Sequence, residues 1–269
     1  MLPMKSNIVC AQDARSSLEP LKREVALAWY FAWSDTHARY KRSILGPFWL
    51  VLSTIIGVGG LGLVWSELLH VDRATFLPML TIGLVVWQLI SGCITAAANV
   101  FHAKASIIKN IRTPALRISL QLLFSQVVNF LHNLVIILLV LVLFPAHLSI
   151  TCLLSVIGLV LVLANLLWVI QVIGFLGARY RDFDPLIGSV MPLLFFLSPV
   201  LFRSRDLGSM SFLMAFNPIA YWIEIVRDPL LGGVPSMWHY AVTIGMALFG
   251  WAFALTLTKA KAHRLPFWV

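Results

Sequence analysis

This sequence predicts an all-α integral membrane protein with six transmembrane helices, and three observations carry that prediction. Hydrophobic residues make up 60% of the 269 positions and charged residues only 12%, against about 45–50% and about 25% in soluble globular domains. The apolar residues gather in runs of membrane-crossing length. A helix needs roughly 17–25 of them, because each residue rises about 1.5 Å through an apolar layer about 30 Å thick. The runs are continuous rather than alternating, so each closes its own backbone hydrogen bonds as a helix, and barrel strands are excluded.

In order, the spans fall at 45–69, 76–98, 118–144, 148–178, 185–202 and 240–258. Between Arg117 and Arg179 there is no Asp, Glu, Lys or Arg. That stretch is too long for one crossing, and Phe144-Pro145-Ala146-His147 divides it. The division gives a cytoplasmic N-terminal segment (1–44), a six-helix membrane domain (45–258) and a short cytoplasmic tail (259–269).

Lys and Arg stay on the cytoplasmic side of a membrane, so their distribution orients the spans. The N-terminal segment holds Lys5, Arg15, Lys22, Arg23, Arg39, Lys41 and Arg42, and the next loop on that side Lys104, Lys109, Arg112 and Arg117. Arg179, Arg181, Lys259, Lys261 and Arg264 complete sixteen of the 20 basic residues. Only Arg73, Arg203, Arg205 and Arg227 fall on the other side. Both termini are therefore expected in the cytoplasm. The net charge of +9 follows from this pattern and does not call for a nucleic-acid partner, which needs basic residues gathered on one soluble surface.

Two segments are neither spans nor plain loops. Ser16-Ser17-Leu18-Glu19 has the spacing of a capping box, and Pro20 is tolerated if it falls in a first helical turn. Leu18, Leu21, Val25, Trp29 and Ala32 recur at helical spacing. Trp29-Tyr30-Phe31-Ala32-Trp33 suits the membrane–water boundary. These features predict an amphipathic helix on the cytoplasmic face of the bilayer. On the other side, segment 202–237 carries apolar patches too short to span, broken by Asn217-Pro218 and Leu231-Gly232-Gly233. A pair of short re-entrant helices before the last span fits it.

Several motifs are weighed and set aside. Gly57-Val58-Gly59-Gly60-Leu61-Gly62 matches the dinucleotide fingerprint, but that motif works between a strand and a helix of a soluble sheet. Inside a membrane span, small residues let neighbouring backbones approach. No phosphate loop of the G-x-x-x-x-G-K-[ST] type occurs. The seven His and the cysteines Cys10, Cys93 and Cys152 show no metal-ligand spacing, so no metal is expected. His132, the one His well inside a span, reads as a neutral side chain bonded to a neighbouring helix rather than a proton relay. The span interiors lack charged residues, which argues against ion-coupled transport and charged-ring channels.

Three stretches carry a resemblance: Ala38-Arg39-Tyr40-Lys41-Arg42-Ser43-Ile44-Leu45-Gly46-Pro47-Phe48-Trp49 before the first span, Ala178-Arg179-Tyr180-Arg181-Asp182-Phe183 after the fourth, and Asn217-Pro218-Ile219-Ala220-Tyr221-Trp222-Ile223-Glu224-Ile225-Val226-Arg227 before the last. In order, spacing and topology the chain resembles the permease subunit of bacterial polysaccharide ABC exporters. Family members often carry Arg-Asp a few residues before the Arg-Tyr-Lys run, where this chain has Ser34-Asp35.

The resemblance implies a homodimeric permease of the bacterial inner membrane, paired with two ATP-binding cassette subunits. ATP and Mg belong to those subunits, and this chain itself binds no cofactor and catalyses no reaction. Such exporters move the O-antigen of lipopolysaccharide, capsular polysaccharide or teichoic acid on a lipid carrier. Arg179, Arg181, Asp182, Asn217, Pro218, Tyr221, Glu224 and Arg227 stand at family-motif positions. For the substrate entrance the candidates are Trp29, Tyr30, Phe31 and Trp33, with Arg39 and Tyr40 beside them. Aromatic faces suit the C–H faces of sugars. For coupling to the ATPase the candidates lie in the loop 99–113: Ile107, Ile108 and Ile111 give apolar contact, Lys104, Lys109 and Arg112 surround them, and Pro114 ends the lever. A drug or small-lipid exporter of the same fold, or a membrane scaffold without a pathway, are the alternatives; a neighbouring gene for a carbohydrate-recognising ATPase favours glycan export.

Overall fold

The computed structural model describes residues 6–41, 43–44, 46, 48–68, 70–111, 113–144, 150–204, 208 and 212–269, with side chains from Glu19 onward except those of Pro20, Leu21 and Leu213. The described residues form helices and turns. In chain order these are α1 (Ser6–Tyr40), α2 (Phe48–Leu68), α3 (Arg73–Ala97), α4 (Ala105–Asn110), α5 (Ala115–Leu143), α6 (Cys152–Arg179), α7 (Phe183–Leu197), α8 (Phe212–Ala215), α9 (Pro218–Leu230), α10 (Met237–Lys261) and α11 (Leu265–Trp268). Short 3₁₀ turns at His102–Lys104 and Ala262–Arg264 lead into α4 and α11.

Among the described residues, five helices are long and apolar enough to cross a membrane: α2, α3, α5, α6 and α10 with its continuation to Trp268. The chain is a multi-pass membrane protein. Most of α3 is buried, from Phe76 through Ala97, and α2, α5, α6, α7 and α9 pack around it. Outward faces stay apolar, as Leu52, Ile55, Ile56, Leu138, Leu139, Val156 and Phe249 show. Lipid accepts such faces without the cost they would carry in water.

The fifth expected span, 185–202, takes the form of a shorter apolar helix: α7 has 15 residues, about 22 Å at 1.5 Å per residue. Pro199 explains the stop. A residue before proline is pushed out of the helical region, and Ser198 is extended, with φ −101° and ψ 150°. The chain turns through Ser198–Leu201 beside the middle of α3. A Cβ added to Gly83 would stand 3.1 Å from the Val200 carbonyl oxygen, and Trp87 meets Phe195 edge-on at 5.5 Å.

From there the chain leads on to α9. Asn217 at its start bonds to the end of α7, while at its far end the Pro229 carbonyl accepts from Thr151 Oγ1 at 3.3 Å, beside the first residue of α6. Gly158 makes room for α9, since a side chain there would strike the Ile225 carbonyl. Short α8 and α9 stand where the pair of short helices before the last span is expected.

At the other end the N-terminal helix needs correction. It begins at Ser6, so Ser16 and Pro20 fall inside it, and the capping-box start is not used. Its second half lies along α5, from Glu24 beside Arg117 to Tyr40 beside His132. Within α2, Gly57 and Gly62 face Leu84 and Leu77 of α3, as close packing requires, whereas Gly59 and Gly60 meet open space.

Candidate functional sites at the two ends of the bundle

The end holding α9 contains charge that membrane helices normally exclude. Arg227 is only 1% exposed in its side chain. Its guanidinium donates to the carbonyls of Pro199 and, at 3.4 Å, Phe202. It also contacts Asp228 at 3.3 Å and Glu224 at 3.9 Å. The physical reason lies in the irregular backbone after α7. Carbonyls freed at membrane depth need donors from protein, and a planar five-donor fork serves two carbonyls and two carboxylates together.

Further contacts fix α9. Asn217 Oδ1 accepts from the Ile219 amide at 3.0 Å, the usual helix-start bond. Its Nδ2 donates to Leu197 O at 3.0 Å and Ser198 Oγ at 3.1 Å, closing the end of α7. Pro218 takes the first helical position, where its missing N–H costs nothing. Tyr221 donates through its hydroxyl to Ala215 O at 3.1 Å, and Glu224 meets His239 Nε2 of α10 at 3.0 Å. The family-motif positions Asn217, Pro218, Tyr221, Glu224 and Arg227 therefore form one connected element. A cavity of about 320 Å³ opens beside it. His239 and Asp228, which complete the cluster, were not among the sequence candidates; each belongs to an apolar-flanked segment with no pattern to mark it.

At the basic end, Trp29 packs edge-on against Phe124 at 5.5 Å and stacks with Trp33 at 6.4 Å. Trp33 and Tyr40 line a cavity of about 220 Å³ with His37, Lys41 and His132. Tyr30 and Phe31 stand exposed, paired with each other at 5.7 Å, and Arg39 is exposed apart from the cavity. The structure thus gathers two of the six entrance candidates. His132 contacts Val128 O of its own helix at 2.7 Å rather than a neighbouring one. Two polar contacts clamp α1 to the bundle. Glu24 accepts from Arg117, and that hydrogen bond holds its carboxyl below the usual carboxylate range. Asp35 accepts from Lys104 at 2.9 Å and Gln121 at 2.7 Å, so the position where family members often place Arg-Asp does carry an ion pair.

The coupling candidates divide. Helix α4 is a separate helix of six residues, with Pro114 heading the next helix. Ile107, Lys109 and Ile111 are exposed. Ile108 turns the other way and is 7% exposed, in a cluster with Phe101, Phe175 and Leu265. Lys104 is held by Asp35, and Arg112 lies outside the described residues. The sequence reading missed the tail: Leu265 of α11 is buried under α4, and Trp268 and Tyr180 each lie 5.7 Å from the Arg179 guanidinium. The signal was Leu265-Pro266-Phe267-Trp268, apolar residues after a basic run. Arg181 and Asp182 are exposed in the turn before α7.

Residues 27–231 match the model of the ABC-2 type transporter family. The chain belongs to that family. Two relatives are similar along most of their length. The O-antigen export system permease protein RfbA of Klebsiella pneumoniae is 25% identical over 204 residues, 74% of this chain and 78% of the relative. The protein of the same name from Myxococcus xanthus is 20% identical over 188 residues, 69% and 72% of the two chains. As an ABC-2 transporter membrane subunit, the chain works with an ATP-binding partner. The family match covers α2–α9 and stops before α10 and the tail.

Proposed function

We propose that this chain forms the pathway of an ATP-driven exporter of lipid-linked polysaccharide. Two copies span the cytoplasmic membrane with two ATP-binding subunits attached at the basic end, and those subunits hold ATP and Mg. The observation that carries this reading is the pair of relatives named for O-antigen export, aligned along about three-quarters of each chain. The lack of a phosphate loop puts ATP hydrolysis on the partner. The distribution of positive residues supports cytoplasmic termini. At the basic end, α4 and the cavity beside Trp33 and Tyr40 serve coupling and substrate entrance.

The test is depletion of the chain in its own host. The reading expects lipid-linked glycan to accumulate inside the cell while surface polysaccharide falls, with both restored by the gene on a plasmid. Normal surface polysaccharide in depleted cells, with a drug or phospholipid retained instead, overturns it.

A further inference from the structure

Two cavities at the α9 end share one wall. The first, of about 320 Å³, is lined by Arg203, Asp228 and Ser236 among others. The second, of about 210 Å³, is lined by Met214, Tyr221 and Trp238. Ser204, Glu224 and His239 belong to both, and the Glu224–His239 contact divides the cleft. Its larger half falls at the lower end of ligand-site volumes, about 300–1,000 Å³.

The chemistry of the two halves differs. Four formal charges face the first: Arg203 and Arg227 against Glu224 and Asp228. A phosphate drawn to Arg203 meets two carboxylates, and the Arg227 guanidinium is already taken by two carbonyls and two carboxylates. A metal cation meets two arginines. The balance therefore favours an uncharged ligand that donates hydrogen bonds. Asp228 keeps accepting capacity for it, since its carboxylate has one long contact to Arg227 and is about a third exposed. Buried His239 Nδ1 has no partner among the described residues, while Nε2 is held by Glu224. The second half offers a ring face. Trp238 is 66% exposed, so its indole is not committed to packing.

A ligand with a rim of hydroxyls and an apolar C–H face matches such a cleft, and a sugar ring has both. We propose that this divided cleft is a saccharide-binding site on the side where the pathway releases its cargo. Trp238 holds the C–H face of one ring, and Asp228 accepts from hydroxyls. The site rests on the glycan-export reading above and gives it a place on the chain.

The test uses the assembled exporter in lipid nanodiscs. Its probe is oligosaccharide released without lipid from the host's own surface polysaccharide, titrated by calorimetry. Binding is expected in the wild type. Asp228→Asn should weaken it by at least about tenfold, the size of a hydrogen bond to a charged group. Trp238→Ala should weaken it comparably, and Trp238→Phe, which keeps a ring, should restore most of it. The proposal is overturned by a wild type that does not bind, by variants that bind as wild type, or by inorganic phosphate displacing the sugar. The depletion experiment above reads glycan export separately, so a lost site with intact export removes this inference alone.

Discussion

Arg227 and Arg117 each pair with a glutamate, Arg227 with Glu224 and Arg117 with Glu24, at opposite ends of the bundle. The Arg227 and Glu224 side chains are 1% and 9% exposed, those of Arg117 and Glu24 18% and 27%. The first pair is part of a network that also serves backbone carbonyls; the second ties one surface helix to one span. Burial, rather than charge type, sets what each is worth. The irregular backbone after α7 leaves the Pro199 and Phe202 carbonyls without helical partners, and an internal arginine is the means of satisfying them. A helix lying along the bundle needs only a clasp, because most of its other polar side chains stay exposed.

The comparison is tested most strongly at Arg227. Arg227→Leu removes the donor to Pro199 and Phe202 and leaves Glu224 and Asp228 without it. Breaking a buried pair costs about 3–5 kcal/mol, which should appear as a large fall in thermal unfolding temperature in nanodiscs, together with lost export. Arg227→Lys should recover little, since an ammonium cannot serve the same groups as a fork. A leucine variant that melts like wild type would remove the structural role given to this network.

The next effect separates the two faces of α4. Ile108→Ala should destabilise by about 2–3 kcal/mol, the lower part of the range for a buried Ile in a core, because Ile108 packs on Phe175 and Leu265. Exposed Ile107 and Ile111 should behave differently when both become Ser: normal melting, but weaker co-purification of the ATP-binding subunit and reduced export. If the double variant binds its partner as wild type, the coupling surface lies elsewhere, and exposed Phe267 on α11 is the next place to look.

A smaller effect is expected where α9 crosses α6. Gly158→Ala puts a Cβ against the Ile225 carbonyl, and overpacking costs about 1–3 kcal/mol. Gly59→Ala, which meets nothing within 4 Å, is the control and should melt at or above wild type, since Ala favours a helix over Gly. Equal melting of both variants would mean that α9 is not seated as closely as Ser155 Oγ donating to Val226 O at 2.6 Å implies.

These contrasts also mark how far the sequence could be read. The long spans were legible because a lipid-crossing helix announces itself through length and apolarity alone, and the pair of short helices before the last span because Asn217-Pro218 and Gly232-Gly233 punctuate an apolar stretch. The end of α7 was not: Ser198-Pro199 sits in an unbroken apolar run, and only the chain's return against Gly83 shows why the helix stops there. The burial of Ile108 is not legible in the α4 stripe, because a six-residue helix is too short for periodicity to tell which face the rest of the chain covers. The tail helix that covers Ile108 lies some 150 residues away. Asp228 and His239 escaped notice because a cleft is a property of juxtaposed elements. Neither residue is unusual where it stands in the chain.

The smallest effect belongs to Glu24. Its carboxyl is held below the usual carboxylate range by the hydrogen bond from Arg117, so the folded state favours its charged form. A carboxylate with a depressed folded value contributes stability above its unfolded value and loses it as pH falls through the folded one. The clasp is therefore fully present at neutral pH and disappears in acid, below the ordinary carboxylate value of about 4.3. Its worth is at most about 1 kcal/mol, since both partners keep contact with solvent. Glu24→Gln should lower the unfolding temperature slightly at pH 7, and that difference should vanish on acidification, where the wild-type carboxyl is neutral as well. Raised salt should narrow the gap at neutral pH through screening. A gap that persists unchanged in acid would show that Glu24 holds α1 by packing of its side chain and not by its charge, and the contrast with Arg227 would then rest on burial of atoms alone.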